Sequence, residues 1–129
     1  MSTHMNSDFL LLSRGKWDVN ASKADIEADI ERFYPWYDAN VAAGTFKPGS
    51  RLTMDGAIVS RDGIRNDGPF AEGKEVIGGY WIIVADSLEA AAALAAQSPV
   101  VKHGILYEIR PLESTRGSAY RTTNETPQS

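Results

Sequence analysis

The chain has 129 residues and a formal charge of −4. That is one domain's worth of protein with a pI near 5.1, and it has no cluster of Lys and Arg able to neutralise nucleic-acid phosphates. Hydrophobic residues make up 43% of it and cysteine is absent, which favours a packed core over disorder and excludes disulfides, thiolate metal sites and a cysteine nucleophile. No apolar run approaches a membrane span and no charged-then-apolar leader precedes a cleavage site, so the expectation is a soluble, cytoplasmic domain.

Residues 1–7 are polar and without periodicity, a loose arm. Asp8 to Ser13 is a short apolar run suited to a buried strand and ended by Arg14-Gly15. Ser22 reads as a helix N-cap with Asp25 at the capping-box position, and Ile26, Ile30, Phe33, Tyr37 and Val41 then fall on one helical stripe. Gly44 is a natural stop, and Pro35 predicts a kink or a break. Gly44 to Gly49 reads as a link. Asp62-Gly63 between two β-compatible runs (Ala57–Arg61 and Ile64–Asp67) predicts a hairpin with a type I′ turn. Val76 to Ala85 is a strand with Tyr80-Trp81-Ile82-Ile83-Val84 apolar on both faces, and Gly78-Gly79 inside it marks a bulge or a close backbone approach. Asp86 is the expected cap of an Ala- and Leu-rich helix, Leu88 to Gln97, closed by Ser98-Pro99. Gly104 to Arg110 gives the last strand. From Glu113 to Ser129 the chain is a polar tail whose composition cannot offset the entropy of ordering it.

Strand, helix, hairpin, long strand, helix, strand is the pattern of an α+β, ferredoxin-like sandwich: a mostly antiparallel sheet with two helices on one face. The uncovered face then carries apolar side chains from the strand around Trp81. Burying two or three of them at about 25 cal/mol per Å2 is worth several kcal/mol per subunit, so the expectation is a homodimer, sheet against sheet.

The string Asp67-Gly68-Pro69-Phe70-Ala71-Glu72-Gly73-Lys74-Glu75, followed by Gly78-Gly79-Tyr80, resembles the signature of the DGPF branch of the YCII-related family. The Ala-rich helix, Pro99 and the final Tyr107-Glu108-Ile109-Arg110-Pro111-Leu112 fit as well, so the resemblance spans residues 8–112. It implies a dimeric α+β barrel, similar in fold to small monooxygenases and muconolactone isomerases. Most members of that family have no established activity. One relative is a dehydrochlorinase, and DGPF members are often encoded beside extracytoplasmic-function sigma factors. Smaller members pair a His in the first helix with an Asp as an acid–base site. Here Phe33, Tyr34, Trp36 and Tyr37 stand where that His would be sought, so the resemblance does not carry this mechanism to the chain.

The candidate site residues each have two readings. Asp67 is a base or ligand anchor at the mouth of a cleft between sheet and first helix, rimmed by Gly68, Pro69 and Phe70, or else the acceptor of an Asx-turn. Lys74 holds an anionic substrate while Glu72 or Glu75 moves a proton, or the three are a solvated cluster. Arg61 and Arg65, with Arg51 nearby, form a small anion site across the hairpin or protect its edge. Tyr34, Trp36 and Tyr37, with Phe33, Tyr80 and Trp81, line a pocket for a flat ligand or pack in the core, with Tyr34 and Trp36 lying off the main stripe. His103 is a titrating group at a strand start, incidental on its own. No metal site and no cofactor are expected.

Three functions fit: a small-molecule-binding homodimer; a cofactor-independent lyase or isomerase acting on a small acid, aromatic-derived ones included, with Asp67 as base and Lys74 or Arg65 on the carboxylate; and a regulatory partner of a sigma factor.

Overall fold

A computed structural model describes residues 6–66 and 76–127. The elements run β1 (Ser7–Arg14), α1 (Lys23–Ala43), β2 (Phe46–Arg51), β3 (Ile58–Ser60), β4 (Gly63–Arg65), β5 (Ile77–Ala85), α2 (Leu88–Ala95), one 3-10 turn (Val101–His103) and β6 (Leu106–Pro111). Four strands form an antiparallel sheet in the order β2-β5-β1-β6. With two helices packed against it, this is an α+β ferredoxin-like fold.

Side-chain alternation in β1 and β5 builds the core. Phe9 and Leu11 face the helices with Trp81 and Ile83, joined by Phe46 of β2 and by Ala91 and Ala95 of α2. Leu11 and Ile83 are fully buried. Phe33, Trp36, Tyr37 and Val41 of α1 close over this cluster. Trp36 meets Phe46 with ring centroids 5.2 Å apart, so a side chain that lies off the expected stripe is part of the packing. The other sheet face carries Leu10, Leu12, Ile82 and Val84, each partly buried, and Tyr80, which is exposed.

Helix α1 runs uninterrupted through Pro35, so of the two expected outcomes, a kink or a break, there is no break. Pro35 and Glu31, whose carbonyl loses its helical donor, are both exposed, so water can satisfy the orphaned acceptor. The ends follow the capping signals. Ser22 Oγ accepts from the Asp25 N–H at 3.3 Å, and Gly44 ends the helix with φ 82°. In α2 the cap is Ser87, whose side chain accepts from the Ala90 N–H, and not Asp86.

Two expectations about strands are corrected. The segment read as a link is β2, an edge strand, and Pro48 is tolerated there because an edge need not donate on its outer side. Its register with β5 slips between Lys47 and Ser50. A Cβ at Gly49 would overlap the Tyr80 carbonyl, and the Gly49 N–H instead donates to the Tyr37 hydroxyl at 3.1 Å. The hairpin forms as expected but makes its own two-stranded sheet, β3-β4. Its turn is not type I′: Ser60 pairs with Gly63, so Arg61 and Asp62 are the loop, and positive φ is confined to Gly63. The expected close approach at Gly78-Gly79 is present. A Cβ on Gly79 would stand 2.9 Å from the Ser50 carbonyl oxygen, and the β1–β5 register shifts beside it. Among the described residues no helix is long and apolar enough to cross a membrane.

Candidate functional site

A cavity of about 410 Å3 opens between α1 and the sheet, within the size range of small-molecule sites. Ile30, Phe33, Tyr34 and Tyr37 contribute from α1, Ser13, Arg51 and Trp81 from the sheet, and Tyr107, Val100 and Ile105 from the region around β6. The walls are largely aromatic. Phe33 stacks on Tyr37 at 5.6 Å, and Trp81 stands edge-on to Tyr37 and to Tyr107, each at 5.4 Å. The indole N–H of Trp81 is buried without an acceptor, sealed among these rings. Tyr107 shares a 2.8 Å hydrogen bond with Ser98. Burial pushes its hydroxyl above the ordinary tyrosine range, while the Ser98 bond and the charge of Arg51 act the other way.

Of the sequence candidates, Tyr34 and Tyr37 line this cavity, whereas Trp36 does not. Trp36 is turned onto Phe46 and Trp81, and its indole N–H donates to Gln97 at 3.4 Å. Arg65 lies on β4 and borders a shallow depression of the hairpin with Ile58, Ser60 and Asp62, not the main cavity. Asp67, Gly68, Pro69, Phe70 and Lys74, with Glu72 and Glu75, lie outside the described residues. Arg51, grouped by sequence with the hairpin, belongs to the cavity instead.

Sequence reasoning missed a second feature, beside the cavity. Asp29 is the one buried residue of α1, at 3% exposure. His103 Nε2 lies 2.7 Å from its Oδ2, Lys102 Nζ is 3.2 Å away, and Arg32 also pairs with it. The His103 bond, with Lys102 and Arg32, holds the Asp29 carboxyl down to about 2 from an ordinary 3.8, against burial, which acts in the opposite direction. Asp29 is therefore ionised at neutral pH, and His103 Nε2 must carry the proton it donates. The His103 ring also meets Trp17, a cavity residue, edge-on at 6.4 Å. His103 is thus no incidental side chain but ties the turn before β6 to α1. The available signal was Asp29 itself, three residues after Ile26 and four before Phe33, an acid on the apolar face of a helix.

The arrangement can hold a flat apolar body between rings, offers a cation at Arg51, and places an oriented His–Asp pair next to one wall. Among the described residues no group of three or more His, Asp or Glu side chains is placed to hold a metal ion. No curated protein matches the chain. The model of the YCII-related domain matches residues 18–114, and the chain belongs to that family.

Proposed function

We propose that the protein is a small-molecule-binding homodimer of the DGPF branch and that its ligand occupies the cavity between α1 and the sheet. The observation that carries this reading is the cavity's construction: about 410 Å3 walled by rings from α1, β5 and β6, a shape and chemistry suited to a flat ligand. The second copy is supported by the helix-free sheet face, where Leu10, Leu12, Ile82 and Val84 form an apolar centre. Lys47–Asp8 and Arg14–Glu108–Arg110 ion pairs flank it, giving an apolar middle inside a polar rim. The Asp67 to Phe70 segment enters as the proposed rim of the cavity.

A thermal-shift screen of small aromatic compounds tests this. A true ligand raises the melting temperature of the wild type by mass action. It fails to do so for Ile30→Trp, which puts an indole into the cavity from the half-buried helix surface. A compound that stabilises both forms equally binds elsewhere, and such a result throughout the screen removes the reading. Stabilisation that survives Asp67→Asn unchanged removes Asp67 from the site.

The Asp29–His103 pair favours a second reading, a cofactor-independent lyase or isomerase. A carboxylate that fixes one imidazole nitrogen leaves the other available for proton transfer. On this reading His103→Gln abolishes turnover of a cavity ligand while leaving its binding intact.

A further inference from the structure

We propose that the cavity is built for a flat monoanion, a small aromatic carboxylate, with Arg51 as its counter-charge. This deepens the binding role proposed above and rests on it. Among the described cavity residues Arg51 is the only charged one; the rest are aromatic, aliphatic, serine or glycine. No carboxylate among the described residues forms an ion pair with it, although Arg14, Lys47, Arg32 and Lys102 all have such partners. A cation that lines an apolar pocket with no counter-ion among the described residues is the arrangement that selects an anionic ligand.

The position of Arg51 is set by the fold. It ends β2 and pairs with Gly79 of β5, so its backbone is held in the sheet. Its guanidinium then lies over the glycine pair: a Cβ on Gly78 would stand 3.2 Å from Arg51 Nη2. A larger residue at that position would crowd the head group. Arg51 lines the same cavity as Tyr107 of β6, which puts it on the cavity side of the strand. Arg51 itself is exposed, so it stands at the mouth, where a carboxylate can stay partly hydrated while the ring enters.

The lining also holds a polar group away from Arg51. Ser13 lines the cavity and is only 7% exposed. Its hydroxyl can both donate and accept, so it is a polar group that a ligand atom in the cavity could meet. Rings on the walls, a cation at the mouth and a serine in the lining describe a planar acid, and a substrate phosphate or a cation would match them poorly.

Isothermal titration with three probes of one shape decides the matter: naphthoate, naphthalenemethanol and naphthylmethylammonium, each against the wild type, Arg51→Met and Arg51→Lys. Arg51→Met keeps the length of the side chain and removes its charge, and it sits on the exposed rim, so the fold is retained. Naphthoate is expected to bind the wild type at least about tenfold more tightly than the alcohol, with the ammonium weakest. Arg51→Met should erase the advantage of naphthoate and leave the alcohol unchanged, and Arg51→Lys should restore part of it. Equal binding of acid and alcohol, or an advantage that survives Arg51→Met, overturns the role of Arg51 while the cavity reading stands. If no probe binds and Ile30→Trp changes nothing, the cavity reading falls and this inference with it.

Discussion

Neighbouring leucines on β1 separate the two faces of the sheet. Leu11 points to the helices, fully buried between Trp81 on β5 and Ile109 on β6. Leu10 points the other way, partly buried between Ile82 and Arg110. Truncating Leu11 to alanine removes a side chain from a closed core and should cost about 3 kcal/mol or more. For a domain of this length that corresponds to a melting temperature lower by about 10 °C. In an isolated subunit Leu10→Ala should cost only about a third as much, because a large part of its surface already meets water. If a second copy covers that face, Leu10→Ala approaches the cost of Leu11→Ala. Leu10→Asp then also converts the protein to single subunits, because an unpaired carboxylate would be buried at the centre of the contact. The measurement is thermal melting at two protein concentrations about a hundredfold apart, with sedimentation of each form. The wild-type melting temperature should fall on dilution and that of Leu10→Asp should not. A wild type that sediments as one subunit, melts independently of concentration and tolerates Leu10→Asp would refute the homodimer, and the Leu11→Ala result would then report on the subunit core alone.

Gly49→Ala should destabilise the fold by about 2 kcal/mol or more, since its new Cβ would overlap the Tyr80 carbonyl and push β2 off β5; Gly117→Ala, with open space around it, is the control, and equal urea midpoints for the two variants would contradict the register described. The Asp29 carboxyl, held down to about 2 from an ordinary 3.8, stabilises the folded form above about pH 4, and that contribution is lost as the pH falls toward 2. The difference in urea midpoint between wild type and Asp29→Asn should therefore shrink across that window, and parallel curves through it would show that the His103–Asp29 bond contributes nothing.

Elements governed by local chemistry were legible in the sequence. Ser22 and Gly44 bracket α1 because capping needs only a hydroxyl acceptor at one end and a left-handed residue at the other. β5 was legible because nine residues with no polar alternation suit a strand buried on one face and apolar on the other. β2 was not, since Pro48 and Gly49 disfavour a strand by propensity; it forms because β5 supplies the partner and Tyr37 takes the free Gly49 N–H. The His103–Asp29 bond joins residues 74 positions apart, a distance over which no spacing rule operates. Arg51 was assigned to the hairpin by its nearness in sequence, whereas the end of β2 turns it toward the cavity.

The cavity and the core share their walls. Phe33, Tyr37, Trp81 and Tyr107 line the one and pack against or within the other, so the site is held by the same contacts that hold the fold. Such walls are pre-organised, and a ligand entering them has little side-chain entropy left to quench. They are also poor places to look for function by mutation, because truncating Trp81 or Tyr37 opens the core along with the site and confounds affinity with stability. Residues that touch the cavity without supporting the core are the informative ones. Ile30 and Arg51 meet that condition, the first half-buried and the second exposed. Binding that changes with Ile30 and Arg51 while unfolding stays constant separates a site that recognises a ligand from a gap left by packing aromatic rings across a twisted sheet.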